Sequence, residues 1–162
     1  THLGVVPRRE AESLVGALTA EDKKRLATLD VRLGAKFVYA RGLLKPAVQP
    51  FRAAALAVWL GEDERPSLPD AAVAPRASWS AEFARCLGYP RYGSRCVRVD
   101  LVERIAVLLR KSVPNRGVGA LPRQPMQWLG CSPSEWEEVV TALGYDVRPE
   151  GVSRRRRVRA KG

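Results

Sequence analysis

PMQWLGCSPSEWEEVVTALGYDVRPEGVSRRRRVR, residues 125–159, holds the clearest local grammar of the chain. Pro125 to Leu129 spells a short helix and Gly130-Cys131 a turn. Ser132-Pro133-Ser134-Glu135 then supplies a serine cap, a proline at the first helical position and a glutamate at the third, a strong helix start. This helix is expected to run to Leu143 and stop at Gly144, where glycine tolerates the left-handed conformation. Tyr145 to Arg148, a turn at Pro149-Glu150-Gly151 and Val152 to Arg159 complete a β-hairpin.

Helix, turn, helix, hairpin is the order of a winged helix-turn-helix. Working upstream, Asp100 with Glu103 reads as a capping-box variant opening a helix over Leu101 to Arg110, with 111–124 as loop. Cys96-Val97-Arg98-Val99 alternates like a half-exposed strand after a turn at Pro90 to Ser94. A helix capped by Ser78 or Ser80 ends at Gly88. Residues 62–77 collapse into acids, prolines and alanines, which is linker composition, and a domain boundary is expected there. Before it, Thr19 caps a helix expected to extend to Gly34, with Leu26, Leu29 and Leu33 facing a core. Phe37-Val38-Tyr39 is β-like, Ala40 to Leu44 a loop, and a second helix starts near Gln49, because Pro50 cannot sit deep inside one, and runs to Gly61. That helix is apolar on nearly every face, so it is expected to be buried. The fold class is therefore mainly α with small β-hairpins: a helical subdomain at 1–61, a linker at 62–77, a helix-hairpin and winged-helix-like region at 78–159, and a basic end at 160–162. One echo runs through it. Cys86-Leu87-Gly88-Tyr89 and Ala142-Leu143-Gly144-Tyr145 both end a helix with glycine and enter a hairpin through tyrosine.

With 162 residues, 46% of them hydrophobic, the chain can bury one core or two small ones. It has no run of eighteen apolar residues and no signal-peptide pattern, so no membrane partner is indicated and a cytoplasmic location is expected. The opening Thr1-His2-Leu3 lacks an initiator methionine and reads as the edge of a segment cut from a longer polypeptide. Cys86, Cys96 and Cys131 form no C-x-x-C pair, and the single histidine is His2, so neither a metal site nor any other cofactor is expected. The cysteines read as small, partly buried thiols, and Trp59, Trp79, Trp128 and Trp136 as core or interface residues.

The net charge of +11 is concentrated at one end. Residues 150–162 hold Arg154, Arg155, Arg156, Arg157, Arg159 and Lys161 against Glu150, close to half of the excess in thirteen residues. A block of that density attracts phosphate polymers and anionic surfaces. In a strand, Arg155, Arg157 and Arg159 would form one row and Arg154 with Arg156 the other, a ribbon with guanidinium groups on both sides, joined by Arg148 on the opposing strand. Arg91, Tyr92, Arg95 and Arg98 interleave cations with a ring, which suits phosphate contact and base stacking. A catalytic constellation is not found: Gly117-Val118-Gly119 is followed by no lysine or hydroxyl residue, the paired carboxylates sit at helix starts or in the linker, and the body of the chain has no histidine. No enzyme activity is expected of these residues. The helix from Pro133 carries Glu135, Glu137 and Glu138, so phosphates would repel it from a major groove. Contact is expected through the wing.

Two segments resemble a known family. Arg32-Leu33-Gly34-Ala35-Lys36-Phe37-Val38-Tyr39 with Leu43-Leu44-Lys45-Pro46 is similar to an element lying just beyond the motor in alphaproteobacterial helicase-related proteins, relatives of the mitochondrial degradosome RNA helicase. Residues 97–106, and 129–132 through 143–145, resemble later stretches of the same C-terminal region. The resemblance implies an appendage of a superfamily-two, ATP-dependent helicase whose motor lies N-terminal to Thr1. The ATPase residues of such proteins lie in that motor, and none carries over to a position here. The expected function is a non-catalytic accessory region that holds nucleic acid, RNA favoured over DNA, beside the motor in cis. A protein-docking module and a free-standing winged-helix DNA-binding regulator are the alternatives.

Overall fold

The computed structural model describes residues 3–61, 68, 72–75 and 78–155. In the first part of the chain, β1 (Val5–Pro7) is followed by α1 (Glu12–Ala17) and α2 (Ala20–Thr28). Thr19 caps α2 as expected, in a reciprocal box with Asp22. The helix nevertheless stops at Thr28 instead of running on to Gly34. Asp30 adopts φ +58°, a conformation that aspartate tolerates better than most residues, and turns the chain into β2 (Val31–Leu33). Leu29 is therefore 72% exposed and Leu33 lies on a strand, so the predicted leucine stripe does not form. β3 (Phe37–Ala40) pairs antiparallel with both β2 and β1, giving the order β1-β3-β2.

Gly34 has a different role from the helix stop assigned to it. A Cβ there would collide with the carboxylate of Glu103. That buried carboxylate accepts from the backbone N–H groups of Ala35, Lys36 and Phe37 at 2.7, 2.7 and 2.8 Å. Three successive amides converging on one anion hold the β2–β3 turn, and a glycine lets the carboxylate approach. Glu103 is thus committed to a hairpin 66 or more residues away in sequence, and does not serve a cap for its own helix.

α3 (Gln49–Leu60) starts where the proline restricts it and ends on the left-handed Gly61. It is only half buried. Ala53, Leu56 and Ala57 face the core, whereas Phe51, Val58 and Trp59 are 78%, 85% and 67% exposed. Its one charged residue, Arg52, points inward and donates to the carbonyls of Leu3, Leu43, Cys86 and Leu87 at 2.8 to 3.1 Å. The expectation of burial all round fails because a helix packed on one side only leaves its opposite face to solvent whatever its composition.

The stretch read as a linker contains β4 (Val73–Pro75), which pairs with β6 (Arg95–Val97) in a sheet of order β4-β6-β5, with β5 at Arg91–Tyr92. α4 (Ala81–Leu87), capped by Ser80 and ended by Gly88 at φ +97°, shares one apolar core with α3 through Leu56, Trp79, Phe83 and Leu87. Helices on both sides of residues 62–77 thus belong to the same core, and no domain boundary falls there. Two compact units do exist, but the division runs through α5 (Val99–Ser112): Thr1–Arg91 with Arg95–Arg104, and Tyr92–Ser94 with Ile105–Gly162.

In the second unit α6 (Gln124–Leu129), the left-handed Gly130 and α7 (Pro133–Ala142) follow the expected order. The capping box forms in full, with Ser132 Oγ accepting from Glu135 N and the Glu135 carboxylate accepting from Ser132 N. Gly144 at φ +94° leads into β7 (Tyr145–Arg148) and β8 (Gly151–Arg154). Gly119 adds a third short segment, exchanging two backbone hydrogen bonds with Val152 of β8 at 2.8 and 2.9 Å. Gly151 is required beside it: its φ is +135°, and a Cβ would stand 2.6 Å from the Gly119 carbonyl oxygen.

The echo around Gly88-Tyr89 and Gly144-Tyr145 extends to topology. After α3 come the edge segment β4, α4 ending in Gly-Tyr, and a hairpin whose last strand pairs with the edge segment; after α5 come the Gly119 segment, an additional helix α6, α7 leading to Gly-Tyr, and a hairpin whose last strand pairs with Gly119. β4-β6-β5 and Gly119-β8-β7 have the same order. The chain is mainly α with small antiparallel hairpins, and among the described residues no helix is long and apolar enough to cross a membrane.

Replacing Glu103 by alanine strands three amides and should destabilise the first unit by about 3 kcal/mol. Thermal unfolding followed by circular dichroism should show a midpoint lower by about 10 °C. Gly34→Ala should lower it too, while an exposed control such as Glu21→Ala should not.

Candidate nucleic-acid interface

The hairpin register sorts its side chains. Tyr145 stands opposite Arg154, Val147 opposite Val152, Asp146 opposite Ser153 and Arg148 opposite Gly151, with Pro149 and Glu150 at the turn. Directly paired residues share a face, so Tyr145, Val147, Val152 and Arg154 make the inner face, and the outer face carries Asp146, Arg148 and Ser153. Val152 is fully buried and Tyr145 nearly so. Arg154 follows Val152 inward. Its Nε and Nη2 donate to Val113 O at 3.3 and 3.0 Å, and Nη2 also donates to Arg110 O at 3.0 Å. These are carbonyls at the C-terminal end of α5, where a cation is also favoured by the helix dipole.

The ribbon with cations on both sides is therefore corrected at its first residue: Arg154 fastens the hairpin to α5 and is not a surface contact. Arg155 lies on the opposite side, half exposed, with Nε donating to Asp146 Oδ1 at 2.9 Å. Arg148 is exposed and its Nη1 lies 3.9 Å from Glu150 Oε1. Exposed pairs of this kind contribute little and exchange readily for another anion. Arg156, Arg157, Arg159 and Lys161 lie outside the described residues.

The other predicted cluster does not assemble as a platform. Arg91 is exposed and donates to Trp79 O at 3.1 Å, and Tyr92 is half buried. Arg95 is only 8% exposed, inside a strand whose three residues are all buried. Arg98 makes two bonds to the Asp100 carboxylate, 2.7 and 2.9 Å. That partner raises its pKa above the ordinary guanidinium value. The four residues that looked contiguous in sequence are thus divided among β5, the buried β6 and the segment that leads into α5.

Of the tryptophans, Trp79 and Trp136 are buried and Trp128 is half buried, whereas Trp59 is exposed. On α7, Trp136, Val139 and Val140 face the core, and Glu137 and Glu138 face out. Beside this acidic face is a cleft of about 520 Å³ between α6, α7 and the hairpin turn. Met126 and Val147 contribute its apolar walls; Arg123, Arg148, Glu137 and Glu150 its charged rim. Arg123 and Glu137, which the sequence did not assign to a nucleic-acid contact, are brought to the same cleft. Arg123 stands at the N-cap position of α6 and Glu137 lies on α7, so no single spacing in the sequence relates them. Among the described residues no group of three or more His, Cys, Asp or Glu side chains could hold a metal ion.

Compared with protein-family models, curated proteins and solved structures, the chain matches none.

Arg154 and Arg155 are adjacent but differently employed, and substitution separates them. Arg154→Ala leaves the carbonyls of Arg110 and Val113 without this donor and should lower the stability of the second unit by about 1 to 3 kcal/mol. Arg155→Ala should change it by less than about 0.5 kcal/mol. Urea unfolding followed by the NMR methyl signals of the buried Val139 and Val140, which report the second unit alone, gives both values.

Proposed function

We propose that this chain is a non-catalytic nucleic-acid-binding region whose second unit is a winged-helix-like module acting through its hairpin. The order α5, Gly119 segment, α6, α7, β7, β8, with the edge segment on the last strand, supports the winged-helix reading. The single observation that carries the functional reading is the position of the arginines. Arg148 and Arg155 are exposed on the hairpin, whose last strand leads into Arg156, Arg157, Arg159 and Lys161 in sequence. Glu137 and Glu138 on the outer face of α7 turn a phosphate backbone away from that helix and toward the wing. The resemblance to helicase-associated regions supports RNA as the favoured ligand and, as part of the same proposal, a role beside an ATP-dependent motor in the same polypeptide.

One observation favours a second role. α3 presents Phe51, Ala55, Val58 and Trp59 outward with no exposed charge among them, and apolar faces of this kind are commoner at protein contacts than on free surfaces. A pull-down that survives nuclease treatment would favour docking over nucleic-acid binding.

Replacing Arg155, Arg157 and Arg159 with alanine should remove about three phosphate contacts. The slope of log affinity against log salt should flatten by roughly 2 to 3 units on unrelated sequences, with little loss of stability. Fluorescence anisotropy on single-stranded RNA, duplex RNA and duplex DNA measures this, and an unchanged slope on all three would remove the wing from the interface. The same preparation should show no ATP turnover above background, with or without RNA.

A further inference from the structure

An acidic helix beside a basic wing is a poor groove reader, but its carboxylates are acceptors, and the cleft they border has apolar walls. We infer that the cleft between α7 and the hairpin turn holds one unpaired base carrying an exocyclic amino group, with Glu137 and Glu150 accepting from that amino group and Arg123 and Arg148 meeting the flanking phosphates. The inference rests on the reading of the wing as a nucleic-acid surface and names what that surface selects.

The lining carries it in three steps. First, the volume of about 520 Å³ lies within the range of pockets that take small organic ligands. Met126, Val147 and Trp136 line it and offer a base apolar contact, with the Trp136 indole N–H already committed to Pro122 O at 3.0 Å. Second, the polar groups on the rim are of two kinds. Glu137 and Glu150 can only accept hydrogen bonds, and Arg123 and Arg148 can only donate. A nucleotide offers the complement of both, amino hydrogens on the base and oxygens on the phosphate. Third, a base in a duplex is stacked and paired, so entry requires a single strand, loop or end, the form in which proteins read RNA bases along their edges. The same carboxylates that repel a backbone along α7 thereby select a base edge. Cytosine and uracil are nearly the same shape and differ where it matters, an amino group against a carbonyl oxygen, which a carboxylate would repel.

The test uses the full chain and twelve-nucleotide RNAs, all uridine except for one central position. Cytidine at that position should bind about five- to tenfold more tightly than uridine. Glu137→Ala with Glu150→Ala, both at exposed positions, should raise affinity for both RNAs, by removing negative charge, and bring the two within twofold of each other. A purely electrostatic role for the glutamates would shift both RNAs equally and leave their ratio at the wild-type value, which would overturn the inference. As a second readout, 4-thiouridine next to the central cytidine should photo-crosslink to peptides containing Met126 or Val147. Equal binding of the two RNAs by the wild type, or crosslinks confined to residues 154–162, would leave the wing as a nucleic-acid surface and refute the base pocket. Failure of every RNA to bind would refute both.

Discussion

The guanidinium of Arg154 on the last carbonyls of α5 is the constraint on which the second unit's surface depends. It ties β8 to the end of a helix, alongside the pairing of Gly119 with Val152, so the hairpin is anchored at two neighbouring points of one strand. The next residue then faces the opposite way by strand alternation. A block of arginines that looks uniform in sequence is therefore divided: its first member, Arg154, is structural, and the second, Arg155, is exposed. Burying one guanidinium's bonds in this way is stable because its partners are carbonyls that α5 cannot satisfy within itself.

The first unit is held by the same chemistry with the charge reversed and then repeated. Glu103 gathers three amides of one turn, and Arg52 gathers four carbonyls from three segments of chain. Both spread one buried or nearly buried charge over several backbone dipoles, which is how a domain accommodates ions away from water without a counter-ion. Around these anchors the helix, edge segment, Gly-Tyr and hairpin plan occurs in both units. The two stretches differ in the outward face of their leading helix. In α3 that face is Phe51, Ala55, Val58 and Trp59, while in the second unit's part of α5 it includes Arg110 and Lys111.

What was legible in the sequence was local. The Ser132–Glu135 box, the stops at Gly88, Gly130 and Gly144, the start of α3 at its proline, and the hairpin after Tyr145 each depend on residues within one turn of each other. What was not legible depends on contacts distant along the chain. Glu103 looked like a partner for Asp100 because its true partners are 66 to 68 residues away. Residues 62–77 looked like a boundary because composition cannot show that β4 pairs with β6. The helix over Thr19 to Gly34 was drawn too long because Asp30 can adopt a left-handed turn that glycine more often marks. For the site, the inward aim of Arg154 was available from Val152, since two residues apart on a strand is the same face. The cleft was not, because it joins α6, α7 and a turn that no single spacing relates.

In the proposed function, a hairpin fixed at Arg154 and followed in sequence by further arginines, beside an acidic helix, would meet a strand from one side. The account is tested most directly by titrating ¹⁵N-labelled chain with a short single-stranded RNA and following the backbone amides. It predicts the largest shifts at residues 147–155 and around Arg123 and Glu137, with α3 unchanged. Shifts confined to residues 49–60, with the wing silent, would contradict it.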